Sequence, residues 1–123
     1  MSQKHVLLIE DDRVFQSVVE QFLIQQNYAV HCVEYGEQGV SWCQQNTPDI
    51  VLCDLMLPDI NGLEVIERLL SLAPHLPVIV ISASDDMGDI REAVRLGAWD
   101  YLVKPIDRLD TITQAIEHCL QRH

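Results

Sequence analysis

Basic residues are scarce in this chain of 123 residues. Eight lysines and arginines stand against 19 aspartates and glutamates, which gives a formal net charge of −11. Such an acidic surface repels the phosphates of nucleic acids, so the composition argues against direct binding to DNA or RNA. The same charge favours solubility and is compatible with binding of cations and of basic protein partners.

Paired cysteine motifs and long apolar runs are also missing. The four cysteines, Cys32, Cys43, Cys53 and Cys119, form no CxxC pair and have no histidines at zinc-binding spacing. We interpret them as buried, reduced thiols of a cytoplasmic protein. No apolar run approaches the length of a membrane span, and the run near the start is too short for a signal peptide. The sequence therefore predicts a cytoplasmic chain that does not enter a membrane.

The length and the apolar content indicate a single globular domain. One domain is the expectation at this length, and a chain with 48% hydrophobic residues can bury roughly two-thirds of its unfolded surface. We find no internal repeat, linker or low-complexity segment. The prediction is one domain over residues 1–123, which either stands alone or forms the N-terminal part of a longer protein.

Strand and helix patterns alternate five times along the chain. The predicted strands are His5–Ile9, Ala29–Val33, Ile50–Cys53, Val78–Ile81 and Trp99–Val103. The predicted helices are Arg13–Gln26, Glu37–Gln45, Leu63–Leu72, Asp86–Leu96 and Asp107–Gln121. The apolar stripe of the first helix is assigned to Val14, Val18 and Phe22, with Phe15 and Val19 as further candidates. The fourth helix is expected to have Ser84 or Asp85 as its N-cap and Gly97 as its C-cap.

This alternation predicts an α/β fold. The first, third and fourth strands are continuously apolar, which is typical of strands covered on both faces. Alternating βα units with right-handed crossovers give a flavodoxin-like, doubly wound sheet of five parallel strands with five helices. The strand order 2-1-3-4-5 places the strand that contains polar His31 at one edge. In such sheets a ligand binds beyond the carboxyl ends of the strands, at the switch point between the first and third strands.

Polar residues that could bind a metal or take part in catalysis follow four of these strands. Glu10 and Asp11 follow the first strand, Asp54 the third, Ser82 the fourth and Lys104 the fifth. Carboxylates crowded into one cleft repel each other unless a cation joins them, and a site with few protein ligands suits Mg²⁺. With the metal in place, Asp54 can act as a nucleophile toward phosphorus, while Lys104 and Ser82 face the phosphoryl oxygens.

With these residues in place, the chain resembles the receiver domain of two-component response regulators, from Val6 to about Leu120. The motifs that carry the resemblance are Leu8-Ile9-Glu10-Asp11-Asp12, Asp54 followed by Pro58 and Gly62, Ile81-Ser82-Ala83, and Asp100-Tyr101-Leu102-Val103-Lys104-Pro105. The resemblance implies that a phosphohistidine on a sensor histidine kinase or phosphotransfer protein is the phosphoryl donor. It also implies that an output domain or an effector protein receives the signal.

The resemblance further implies a role for each matching residue. Asp54 is the phosphoacceptor. Glu10, Asp11 and Asp54 hold Mg²⁺ together with the backbone carbonyl of Met56. Asp12 then lies in the outer shell of the metal or caps the first helix.

The switch that the resemblance implies lies on the other side of the site. Ser82 and Tyr101 form the switch pair, which repacks the face made by the fourth helix, the fifth strand and the fifth helix. Lys104 assists the transfer, and the Lys104–Pro105 bond is often cis in this family. Met56 and Ser84 stand where side chains tend to tune autodephosphorylation, and neither is an acid or amide that orients a water. The resemblance thus predicts a long-lived phosphoryl state.

One segment suggests a particular group within the family. Residues 81–90, followed by Arg95-Leu96-Gly97, are similar to receivers that precede a phosphatase-like output domain. That group includes an adaptor that delivers the stationary-phase sigma factor to a protease.

Other functions fit these residues less well than the receiver does. A phosphohydrolase of the haloacid dehalogenase type also uses an aspartyl nucleophile at a strand end, but it needs a second aspartate where this chain has Met56. A flavodoxin-type FMN binder needs a phosphate loop after the first strand, and Glu10, Asp11 and Asp12 would repel that phosphate. A receiver-like docking module that is never phosphorylated stays open as the alternative.

Overall fold

The computed structural model describes residues 3–122, in which five strands alternate with five helices. The strands are β1 (His5–Ile9), β2 (Ala29–Val33), β3 (Ile50–Cys53), β4 (Val78–Ser82) and β5 (Asp100–Val103). The helices are α1 (Arg13–Gln25), α2 (Gly36–Cys43), α3 (Gly62–Leu72), α4 (Met87–Leu96) and α5 (Asp110–Arg122). Every predicted element is confirmed, with small differences at the ends. Within the described range, no helix has both the length and the apolar character needed to cross a membrane.

The five strands form one parallel sheet in the predicted order β2-β1-β3-β4-β5. β1 lies between β2 and β3, with Val6 opposite Val30 on one side and opposite Ile50 on the other. The central strands β1, β3 and β4 are buried almost throughout, whereas β2 at the edge is half-buried and exposes His31. Continuous burial is expected here because crossover helices cover both faces of a parallel sheet.

Two apolar layers flank the sheet, because successive side chains of a strand point to opposite faces. Leu7 and Ile9 of β1 face the layer formed with α2, α3 and α4. Val6 and Leu8 face the layer formed with α1 and α5. The site therefore stands on strands held from both sides, which limits how far their ends can move.

The buried face of α1 differs from the predicted one. Val14 and Val18 are exposed, at 76% and 45%, and the buried residues are Val19 and Leu23. The assignment of Val14 and Val18 to the buried stripe was therefore wrong, whereas its other candidates, Phe22, Phe15 and Val19, pack in the layer beneath α1. Apolar residues in this helix cover more than one side, so only contact with the sheet decides which side is buried.

The start of α4 also differs from the prediction, while its end agrees. The N-cap is Asp86, whose Oδ1 accepts the backbone N–H of Asp89 at 3.1 Å. Ser84 and Asp85, the predicted caps, precede it, and the Ser84 hydroxyl bonds to the Asp89 side chain instead. Gly97 ends the helix at a φ of 117°, a left-handed conformation that glycine adopts readily.

The four cysteines are free thiols, and the predicted burial is confirmed for two of them. Cys53 and Cys119 are buried, whereas Cys32 and Cys43 are half-buried. Burial raises the pKa of Cys43 and Cys119 to about 11. Since the thiolate is the reactive form, these side chains are packing residues rather than nucleophiles.

Candidate functional site

The carboxyl ends of β1, β3, β4 and β5 bring the predicted site residues to one edge of the sheet. The N–H of Asp54 donates to the carbonyl of Ile9 at 3.0 Å, and the N–H of Lys104 donates to the carbonyl of Ser82 at 2.8 Å. These bonds extend the ladders of the sheet past the strand ends. Asp54 and Lys104 are thus anchored to the sheet rather than carried on free loops.

Three carboxylates meet at this edge. Candidate ligand oxygens of Glu10, Asp11 and Asp54 all lie within 4.8 Å of one another. Glu10 and Asp54 are buried, at 1% and 5% exposed, whereas Asp11 faces solvent. Two buried carboxylates are unfavourable unless positive charge compensates them. Oxygen donors that are few in number and open to water on one side fit Mg²⁺, which keeps several of its waters.

Lys104 supplies positive charge inside this cluster. Its Nζ lies 2.7 Å from Oε1 of Glu10 and 3.1 Å from Oδ2 of Asp54. Only 17% of the side chain is exposed. The same Nζ lies 4.4 Å from the centre of the Phe15 ring. The bond from Lys104 to Pro105 is cis, as the family resemblance implied.

The cluster remains short of positive charge despite this lysine. Burial is the main cause that raises the pKa of Glu10, and the negative charge of Asp54 acts in the same direction. Together they outweigh the opposing hydrogen bond from Lys104 and bring that pKa to about 7. Burial alone would lower the pKa of Lys104, but its contacts with Glu10 and Asp54 outweigh burial and raise that pKa. A divalent cation would relieve the imbalance by stabilising the ionised form of Glu10.

The loop between β1 and α1 is held by two side chains. The N–H of Asp12 donates to Oε2 of Glu10 at 3.0 Å, and the Asp12 side chain caps α1. Of the two roles left open for Asp12, the structure shows the cap. Gln16, which no sequence motif indicated, donates its side-chain amide to the carbonyls of Glu10 at 2.9 Å and Val33 at 3.2 Å. Gln16 thus holds the backbone of Glu10, while the backbone N–H of Asp12 holds its carboxylate.

The loop between β3 and α3 wraps closely around Asp54. The N–H of Met56 donates to Oδ1 of Asp54 at 3.0 Å. The N–H of Gly62 donates to the carbonyl of Leu55 at 2.9 Å, and a Cβ on Gly62 would lie 2.3 Å from the carbonyl oxygen of Asp54. Glycine is needed there because any side chain would strike the backbone of the site. The Met56 carbonyl as a metal ligand stays a prediction.

Ser82 and Tyr101, the predicted switch pair, both contact Ser84 in the loop between β4 and α4. The buried Ser82 hydroxyl accepts the N–H of Ser84 at 3.3 Å. The Tyr101 hydroxyl donates to the carbonyl of Ser84 at 2.7 Å. One loop residue therefore connects the edge of the site to the start of α4 and to the ring on β5. The switching role of the pair stays a prediction.

Asp59, which no local pattern indicated, ties the β3–α3 loop to α2. Its Oδ1 and Oδ2 accept the N–H groups of Gly36 and Glu37, each at 2.9 Å. Burial works against the charge of Asp59, but the backbone hydrogen bonds from Glu37 and Gly36 outweigh it and lower its pKa. A carboxylate is stabilised at a helix N-terminus, so Asp59 caps α2 from a distant part of the chain.

The fold and the acidic cluster define a receiver, and comparison with known proteins agrees. The profile of the response regulator receiver domain matches residues 6–117, and the chain belongs to this family. The Regulator of RpoS from Escherichia coli K12 is 32% identical over 117 residues, which cover 95% of this chain and 35% of that protein. The transcriptional regulatory protein AfsQ1 from Streptomyces coelicolor is 37% identical over 101 residues, which cover 82% of this chain and 44% of that protein. The chain thus spans less than half the length of these relatives.

Solved structures show the same fold. A CheY-like receiver domain from Methanospirillum hungatei superposes with a TM-score of 0.95 at 23% identity, covering 98% of this chain and 96% of that one. The receiver domain of the sensor histidine kinase PA1611 from Pseudomonas aeruginosa gives a TM-score of 0.89 at 26% identity, and the match covers 98% of this chain and 99% of that one. That structure holds a magnesium ion in its active-site cleft. The predicted fold and family are confirmed, and the similarity to the Regulator of RpoS agrees with the group suggested by residues 81–97.

Proposed function

We propose that this chain is a Mg²⁺-dependent phosphoacceptor that acts in the cytoplasm. Asp54 takes a phosphoryl group from a phosphohistidine on a sensor histidine kinase or a phosphotransfer protein. The observation that carries this proposal is the cluster of Glu10, Asp11 and Asp54, whose ligand oxygens lie within 4.8 Å of one another beside the Lys104 ammonium. Magnesium in the corresponding cleft of the PA1611 receiver supports it.

In the transfer step, Asp54 is the nucleophile. One of its carboxylate oxygens bonds to phosphorus as the P–N bond of the donor breaks, and the electron pair of that bond leaves with the histidine ring. The N–H of Met56 bonds to Oδ1 of Asp54 and sets the orientation of the carboxylate before the donor arrives. Lys104 is already beside Asp54 and can neutralise charge on the phosphoryl oxygens.

The metal ligands follow from the chemistry of the donor set. Glu10, Asp11 and Asp54 would hold Mg²⁺, together with the backbone carbonyl of Met56. When bound, Mg²⁺ supplies positive charge that offsets the charge of the phosphoryl oxygens. Asp11, the exposed member, faces the side from which a hydrated ion arrives.

The proposed signal leaves the site through Ser82 and Tyr101. A hydroxyl can donate and accept at once, so Ser82 can bond to a phosphoryl oxygen while it accepts the N–H of Ser84. Tyr101 holds the carbonyl of the same Ser84, so a shift of this loop reaches both α4 and β5. Phosphorylation then shifts a two-state equilibrium by the difference in its stabilisation of the two states.

The surface proposed to receive this signal is the α4–β5–α5 face. Large apolar side chains are exposed on α4, on β5 and just before β5, namely Met87, Val94, Trp99 and Val103. A contiguous group of exposed apolar side chains marks a site for a partner, and we propose that these four form such a group. We assign this face to an output domain or an effector protein, and residues 1–123 to the receiver unit that controls it.

The test is intact mass after incubation with Mg²⁺ and acetyl phosphate, with wild type beside Asp54→Asn. The expected result is a gain of one phosphoryl group by the wild type only, with both proteins folded. The same gain in Asp54→Asn would place the phosphoryl group on another residue and refute the assignment. No gain in either protein would favour the docking module that is never phosphorylated.

A further inference from the structure

We propose that Phe15 is a positioning residue for Lys104, and that its ring face holds the ammonium in place during phosphoryl transfer. This inference rests on the proposed function, because it concerns how Lys104 acts in that reaction. The observation behind it is the 4.4 Å distance between Nζ of Lys104 and the centre of the Phe15 ring. The resemblance to receivers assigned no role to this residue.

The geometry fits a cation–π contact. An ammonium offers more N–H donors than its two hydrogen bonds, to Glu10 and Asp54, require. The Phe15 ring lies well inside the separation of about 6 Å at which an aromatic face attracts a cation. Lys104 is mostly shielded from water, and this attraction is stronger when the cation is desolvated.

Phe15 is itself held firmly. Its backbone N–H donates to Oδ1 of Asp12 at 3.1 Å, which places it in the capped first turn of α1. Its side chain packs against the buried layer beneath α1 and α5. With Ala83, Pro105 and Ile106, the ring also lines a cavity of about 390 Å³ beside Lys104. The position of the ring is therefore fixed by its helix and its packing, and the flexible Lys104 side chain can contact its face.

The reaction explains why Lys104 needs a contact that carries no charge. Glu10 and Asp54 hold Lys104 while both are carboxylates. During transfer Asp54 gains a phosphoryl group, and Glu10 would be a ligand of Mg²⁺, so both hydrogen bonds of the ammonium would change. The Phe15 ring is uncharged and competes with neither the phosphoryl group nor the metal. It is the contact that can persist while the hydrogen-bond partners of the ammonium change, which reduces the reorganisation needed in the transition state.

The test replaces Phe15 with mono-, di- and trifluorinated phenylalanine, introduced at this one position. Fluorination weakens the negative face of the ring while nearly preserving its shape, so packing and electrostatics separate. Phe22 is the chain's only other phenylalanine, lies on the same helix and packs against the same apolar layer. The same series at Phe22 is the matched control. The readouts are the initial rate of phosphorylation by acetyl phosphate at saturating Mg²⁺, the affinity for Mg²⁺, and the thermal midpoint.

The expected result is a graded fall in rate with each fluorine at Phe15, reaching about threefold to tenfold in the trifluorinated protein. Mg²⁺ affinity and the thermal midpoint should stay unchanged, and the Phe22 series should be flat. Phe15→Leu, which removes the ring and keeps an apolar side chain, should show a loss of similar size. Equal rates across the Phe15 series, or an equal slope at Phe22, would reduce Phe15 to a packing residue and overturn the inference. A wild type that gains no phosphoryl group from acetyl phosphate would overturn the proposed function, and the inference with it.

Discussion

The hydroxyl of Ser84 donates a hydrogen bond of 2.6 Å to Oδ2 of Asp89 in the first turn of α4. Ser84 is thereby engaged with the helix that begins the proposed output face. Met56, the other residue placed where dephosphorylation is tuned, is 62% exposed and presents a thioether. A thioether is a weak hydrogen-bond acceptor for a water molecule, and the Ser84 hydroxyl already donates to the Asp89 carboxylate.

The phosphoryl group on Asp54 is therefore expected to be long-lived, because neither Met56 nor Ser84 can orient an attacking water. Its half-life at saturating Mg²⁺ should be minutes or longer, measured by intact mass after removal of the donor. Met56→Asn adds an amide that can position water and should shorten the half-life by about tenfold or more. Met56→Leu is the control, with no change expected. A wild-type half-life of seconds would contradict this prediction.

Lys104→Ala should retain Mg²⁺ binding and lose the response of the output face. The ammonium neutralises Glu10 and Asp54 but is not a metal ligand, so its removal leaves the donor oxygens in place. The response can be followed by the emission of Trp99 in a Trp42→Phe background, before and after phosphorylation. Lys4→Ala changes the only other lysine and should behave as wild type. A normal Trp99 response in Lys104→Ala would rule out this role.

Asp59→Ala should lower the free energy of unfolding by about 1 kcal/mol, the usual contribution of a helix cap. The loss arises because the N–H groups of Gly36 and Glu37 lose their acceptor. Since the folded pKa of Asp59 lies below its ordinary value of 3.8, the stabilisation is complete above that value. It is lost as the pH falls through the folded pKa.

Urea unfolding at neutral pH and near pH 3 checks this prediction. Asp59→Asn keeps one acceptor oxygen and should lose less than Asp59→Ala. The difference between wild type and Asp59→Ala should shrink at the lower pH. An undiminished difference there would show that the charge of Asp59 does not contribute.

Mg²⁺ affinity should rise with pH through the neutral range and level off above it. Burial raises the pKa of Glu10 to about 7, and a carboxylate must be ionised to bind the ion. The stability of the metal-free protein changes with pH in the opposite direction, falling as the pH rises. A folded pKa above the ordinary value of 4.5 means that the protonated form stabilises the fold below that value, and that this contribution is lost as the pH rises through about 7. Titration calorimetry of wild type and Glu10→Gln measures the effect, and an equal pH dependence in both would refute it.

Gly62→Ala should cost about 2 kcal/mol of stability and slow phosphorylation. The added Cβ would meet the Asp54 carbonyl oxygen at 2.3 Å and the Leu55 Cα at 2.5 Å, and both are backbone atoms that cannot move without disturbing the site. Gly88→Ala is the comparison variant. Its Cβ would meet Oδ1 of Asp86 at 2.9 Å, a side-chain atom that caps α4, so its cost should be smaller than that of Gly62→Ala and phosphorylation should be unchanged. Chemical denaturation and the acetyl phosphate assay report both effects. A neutral Gly62→Ala would mean that the loop has room to adjust.

Local patterns in the sequence determined the elements and the edge where the site lies. Glu10, Asp54 and Lys104 each follow a short apolar run, and a parallel sheet brings the carboxyl ends of its strands together. Their convergence could therefore be predicted without coordinates. The same holds for the order of the strands, because continuously apolar strands belong in the centre of a sheet.

Only the tertiary structure decided which contacts span distant parts of the chain. The choice of Val19 and Leu23 over Val14 and Val18 as the buried face of α1 depends on the sheet below that helix. The carboxylate of Asp59 caps a helix whose first residue, Gly36, lies 23 positions earlier in the chain. The Phe15 ring meets an ammonium from the opposite end of the chain. Periodicity and capping rules describe neighbours along the chain, whereas these contacts arise when the folded backbone brings remote side chains within a few ångströms of one another.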